Sequence, residues 1–102
     1  MVYNQLVLFE FDQSKSRSNK LKHGIDFYEA QSIWASLYFE ISLKTKDEPR
    51  WLIIGIIKDI FWTAIITKRK NHVRLISVRR SRHEEKKLYQ SIFDKKDERQ
   101  KS

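Results

Sequence analysis

Three arginines and a histidine are the side chains in this sequence best suited to phosphate and proton chemistry. Arg79 and Arg80 are adjacent, and Arg74 lies five and six residues before them in the run HVRLISVRR. A guanidinium can hold two oxygens of one phosphate and stays charged at any working pH. That suits both binding of a phosphodiester and stabilisation of a phosphorane-like transition state. The same residues would also serve as a solvated basic edge that discourages strand pairing. In an extended chain Arg74 and Arg80 share one face and Arg79 takes the other, unless the strand bends before Ser81.

His23 stands at the end of SKSRSNKLKHG. Histidine gives and takes protons near neutrality, its unperturbed pKa being about 6.5. Equally, a basic residue at a helix C-terminus answers the negative end of the helix dipole. His72 and His83 read as turn and surface positions. Three scattered histidines and no cysteine give no metal-binding constellation, and neither a metal nor a cofactor is expected. Glu10 and Asp12 alternate at a strand end and form a possible carboxylate pair, although Asp12 also suits a helix N-cap. Trp51, Trp62, Tyr28, Tyr38 and Phe61 could stack bases, but aromatics within apolar runs more often belong to a core. With two glycines in the chain there is no Gly-rich phosphate loop, which excludes a nucleotide hydrolase of that type.

The elements that position these groups must come from 102 residues, 40% of them apolar, enough for one modest domain. A net charge of +8 points to a polyanionic partner: nucleic acid, an acidic protein or an anionic membrane. The charge is concentrated, since residues 58–82 contain eight basic residues against one acid, Asp59. Absence of cysteine removes disulfides and a thiol nucleophile and fits a reducing compartment. The longest apolar run, LIIGII, is far shorter than the ~20 residues of a membrane span, and MVYNQLVLFEFD lacks the features of a signal peptide. The expectation is a soluble cytoplasmic protein with no membrane partner.

The pattern predicts a strand over Val2–Phe11, then a polar helix capped by Asp12 and closed by Gly24, its only large apolar residue Leu21. Asp26 and Glu29 have the spacing of a capping box before an amphipathic helix carrying Phe27, Ala30, Ile33, Trp34 and Leu37. Four strands follow, with tight reversals at Asp59 and Lys70-Asn71. Ser81 and Glu84 suggest a second capping box opening a last helix with Leu88, Tyr89 and Ile92. The order β-α-α-β-β-β-β-α makes an α+β domain with a mainly antiparallel sheet over residues 1–93, followed by a mobile charged tail, 94–102. Residues 52–57 are apolar on both sides of the pleat, so the last helix, a second copy or a partner must cover the second face.

The run F11-D12-x-x-K15-x-x-x-N19-x-x-K22-H23-G24-I25-x-F27-x-E29-A30 resembles the opening of the BrnT family of bacterial type II toxins. Arg50-Trp51-Leu52-Ile53-Ile54-Gly55 is similar to the family's Arg-apolar-Ile-Gly strand. V73-R74-L75-I76-S77-V78-R79-R80, with Glu85 and Tyr89 beyond, is similar to its R-I-I-S-A-R-R segment and following helix. The resemblance spans about residues 8 to 90. It departs where members often carry Thr-Glu-Arg and this chain has Thr67-Lys68-Arg69, a base replacing an acid. Val78 also stands where Ala is common.

The resemblance implies a RelE-like fold and a metal-independent endoribonuclease that halts translation. It also implies neutralisation by a BrnA-like ribbon-helix-helix antitoxin, with operator DNA contacted only through that complex. It places Arg74, Arg79 and Arg80 at the RNA phosphate and makes His23 the proton-transfer group. Lys22, Arg69, Lys68 and Tyr89 become RNA-binding residues. The alternative is a noncatalytic relic of the toxin fold, or a basic module that binds RNA or antitoxin.

Overall fold

The computed structural model describes residues 7–45 and 47–101, with side chains described as far as Phe93. In chain order the elements are β1 (Leu8–Glu10), α1 (Gln13–His23), α2 (Phe27–Ala30), a 3-10 turn (Gln31–Ala35), β2 (Tyr38–Leu43), β3 (Arg50–Ile57), β4 (Ile60–Arg69), β5 (His72–Arg80) and α3 (His83–Lys101). The strands form one mixed sheet in the order β1-β5-β4-β3-β2. All pairings are antiparallel except the short parallel contact of β1 with β5. The α+β class and the mainly antiparallel sheet agree with the sequence. The second helix is shorter than its pattern suggested, since α2 stops at Ala30 and tightens into the 3-10 turn. The expected strand start at Val2 and the tail's charged side chains lie outside the described residues.

One sheet face holds the core. Ile25, Phe27, Ala30 and Ile33 pack on Ile53, Trp62, Ala64, Ile66, Leu75 and Val78. The helical layer approaches so closely that a Cβ on Gly55 would stand 2.7 Å from Ile33 Cγ2, which is why that strand carries glycine. Lys58 and Asp59 both have positive φ, the backbone of a two-residue hairpin turn whose twist matches the strands.

The last helix covers part of the other face, as one sequence alternative had it. Tyr89 packs edge-on to Phe61 at 5.3 Å and donates its hydroxyl to the Leu37 carbonyl at 3.1 Å. The expected Ser81/Glu84 cap is displaced by one residue. The Arg82 N–H donates to Glu85 Oε1 at 2.7 Å, and the Ser81 hydroxyl instead meets Thr63 Oγ1 at 2.7 Å.

Candidate active site

A register shift decides where the arginines point. Ile65 pairs with Ser77 but Ile66 with Leu75, so Ile76 is an extra residue in β5. Leu75 and Val78, three apart, therefore both face the core. The expected sharing is reversed. Arg74, opposite Thr67, and Arg79, opposite Thr63, lie on the α3 face, while Arg80, opposite Trp62, lies on the core face. Strand alternation alone had put Arg74 with Arg80; the bulge overturns it.

Beyond Glu10 the outer edge of β5 has no strand partner among the described residues, and α1 takes its place. The Asn19 carboxamide accepts from the Val78 N–H at 3.1 Å and donates to the Val78 carbonyl at 2.8 Å, copying what a neighbouring strand would do. It also donates to the Ile25 carbonyl at 2.8 Å. Buried Ser16 accepts from the Phe27 N–H at 2.9 Å. The polar helix is thus held by two buried polar side chains as well as by its ends, where Asp12 caps it and Gly24, at φ 81, closes it.

This docking opens a cleft of about 170 Å3 between α1 and β5. Lys15, Asn19, Lys22 and His23 line it at helical spacing, with Ser18 beside them and Ser77 across. Lys22 is exposed and His23 half-buried. Lys15, Ser18 and Ser77 had not been singled out for chemistry, although the motif residues Lys15, Asn19, Lys22 and His23 mark a single helix face. Arg74 lies on the same sheet face as Ser77, its Nη1 3.7 Å from Glu10 Oε2.

Arg79 is engaged elsewhere. Its Nη1 and Nη2 donate to the two oxygens of Glu85 at 2.7 and 2.8 Å, with both side chains largely buried. Glu85 also accepts from Thr63 Oγ1 at 3.0 Å. Burial works against the Glu85 charge, but the hydrogen bonds from Arg79, the Arg82 N–H and Thr63 outweigh it and hold the carboxyl at about 2. The guanidinium fork that would grip a phosphate therefore already grips a carboxylate.

The remaining expected residues scatter. Arg80 is exposed, its guanidinium 5.6 Å from the Trp62 ring centroid. Lys68 lies 4.6 Å over Trp51 and 2.8 Å from Glu40, and Arg69 is bonded to Glu48 at 3.0 Å, both at the far end of the sheet. Tyr89 is 8% exposed with its hydroxyl donated inward, and burial raises its pKa. Its ring packs against Phe61 and Phe93, away from the α1–β5 cleft.

Among the described residues there is no group of three potential metal ligands and no helix long and apolar enough to cross a membrane. No characterised protein matches the chain. Residues 11–85 match the family model described as "Ribonuclease toxin, BrnT, of type II toxin-antitoxin system". That stretch contains α1, the whole sheet from β2 to β5 and Glu85, and it places the chain in the BrnT family of type II toxins.

Proposed function

We propose that the chain is an endoribonuclease that cuts RNA without a metal ion, using the ribose 2′-oxygen as nucleophile. The observation that carries this reading is the convergence of Lys15, Lys22 and His23 on one cleft beside Ser77. The 2′-oxygen bonds to the adjacent phosphorus, the bond to the departing 5′-oxygen breaks, and the products are a 2′,3′-cyclic phosphate and a 5′-hydroxyl. The 2′-hydroxyl proton must leave and the 5′-oxygen must gain one, while negative charge grows on the phosphoryl oxygens. No protein nucleophile is needed.

His23 is assigned the proton transfer, and Lys15 and Lys22 the phosphoryl charge. Arg74 binds the RNA backbone on the same face, and exposed Arg80 holds it at the end of β5. Arg79 acts through Glu85 to fix the junction of β5 with α3. Lys68 and Arg69 contribute at the periphery. Cutting RNA in the cytoplasm would halt translation. The antitoxin that a type II toxin implies would be a BrnA-like ribbon-helix-helix protein, which alone in the complex contacts operator DNA.

The Arg79–Glu85 clasp favours a second reading, a noncatalytic binder, since one of the expected phosphate ligands is occupied. End-labelled RNA incubated with the protein in EDTA separates the two. Fragments ending in 2′,3′-cyclic phosphate from the wild type, reduced about 100-fold in His23→Ala, are expected. RNA left intact by the wild type, both alone and on translating ribosomes, would sink the nuclease reading and leave the binder. Arg79→Ala is the wrong control, because it strands Glu85 in a buried site.

A further inference from the structure

A second cleft, of about 260 Å3, lies on the core-face side of the His23-Gly24 corner. Gly24, Ile25, Ile57, Lys58, Ile60 and Trp62 line it. Its walls are mostly apolar, and Trp62 forms part of them with only 8% of its surface exposed. Its rim is polar: Ser32 offers a hydroxyl, Lys58 an ammonium and Glu29 a carboxylate already paired with Lys20 at 2.8 Å, and Arg80, outside the lining, stands over Trp62. Gly24 leaves the corner open, since a Cβ there would meet nothing within 4 Å.

We infer that this cleft takes one unpaired nucleobase of an RNA strand whose scissile phosphate lies in the α1–β5 cleft. The inference rests on the proposed nuclease reading. Three observations carry it. Neighbouring residues line the two clefts, His23 the first and Gly24 the second. An apolar slot beside an indole suits the flat faces of a base, which stacks on aromatic and apolar walls whatever its sequence. Lys58 in the lining and Arg80 over the Trp62 ring put positive charge beside the cleft, where the phosphates flanking an inserted base would pass, and the Glu29 carboxylate in the lining is answered by Lys20. The Ser32 hydroxyl is placed to read a base edge, so the cleft would set the sequence preference next to the cut.

The test has two independent readouts. The four ribonucleoside 5′-monophosphates, titrated to millimolar concentration, are followed by NMR at the tryptophan indole N–H signals. A shift at Trp62 that spares Trp34 and Trp51, and that is lost in Ile60→Glu, is expected. No shift at Trp62 with any of the four overturns the base pocket, whether or not the protein cuts RNA. On short single-stranded RNAs randomised around the cut, Ile60→Glu is expected to flatten the preference at one flanking position by roughly tenfold while cleavage continues. Ile60 is partly exposed, and a wild-type melting curve for the variant verifies its fold. An unchanged preference in that folded variant overturns the inference and leaves the nuclease reading standing. Absence of wild-type cleavage, both of free RNA and on translating ribosomes, with a positive Trp62 shift removes the nuclease reading and keeps a base-binding cleft.

Discussion

Glu85 shows how one buried carboxylate can be worth more to folding than to catalysis. Its pKa of about 2 lies below the ordinary glutamate value of 4.5, so the native state favours its charged form. The stability it contributes is complete above about pH 4.5 and is lost as pH falls toward 2. Urea unfolding of the wild type between pH 7 and pH 3 should therefore show a larger fall than that of Glu85→Gln, in which Asp12, Glu29 and Glu48, also held below the usual carboxylate range, still contribute. The difference between the two proteins is expected to reach about 2 kcal/mol. Equal falls in both would mean that the clasp contributes nothing. Arg79→Ala is the harsher change, costing about 3 kcal/mol or more, because the charge remains buried after its partner has gone. Loss of activity in that variant would report on folding.

At the scale of elements, α1 replaces a strand, and one side chain makes the replacement possible. Asn19→Ala would leave the Val78 N–H and carbonyl and the Ile25 carbonyl without their partners in a buried setting. A loss of about 2 to 3 kcal/mol is expected from the thermal midpoint. Hydrogen exchange should speed up at Val78 before it does at the centre of β4. Little of this was legible in the sequence. Cap residues at Asp12, Gly24 and Asp26 are local signals and marked the helix ends, and the strand runs were apolar enough to be found. The bulge at Ile76 was not, because an inserted residue leaves composition unchanged while it reverses every later side chain. Arg74 and Arg79 consequently share a face that simple alternation denied them. Glu85 and Asn19 escaped notice as partners because their contacts join residues 6 and 59 positions away, beyond any local pattern. Gly55 belonged to a recognisable motif, yet only the approach of Ile33 explains it. Gly55→Ala should cost about 1 to 3 kcal/mol through overpacking.

Across the whole molecule, the basic block of residues 58–82 is divided by the fold. Lys68, Arg69 and Lys70 end up at the β4–β5 reversal, while Lys58, Arg79, Arg80 and Arg82 lie toward the opposite end, near α3. Total charge is then a poor guide to where RNA binds, and the salt dependence of binding can locate it. Each cation that neutralises a phosphate of a single strand contributes about 0.7 to the slope of log affinity against log salt. Lys15→Ala and Lys22→Ala remove one charge each from the α1–β5 cleft, and the double variant should lower the slope by about 1.4. Lys68→Ala with Arg69→Ala removes the same net charge. Those two cations already face Glu40 and Glu48, so the slope should change by much less. Fluorescence anisotropy on one labelled RNA at several salt concentrations measures both doubles on the same footing. Equal slopes in the two would mean that RNA is held by the diffuse field of the protein. Unequal slopes in the expected order would tie binding to the cleft that also holds His23.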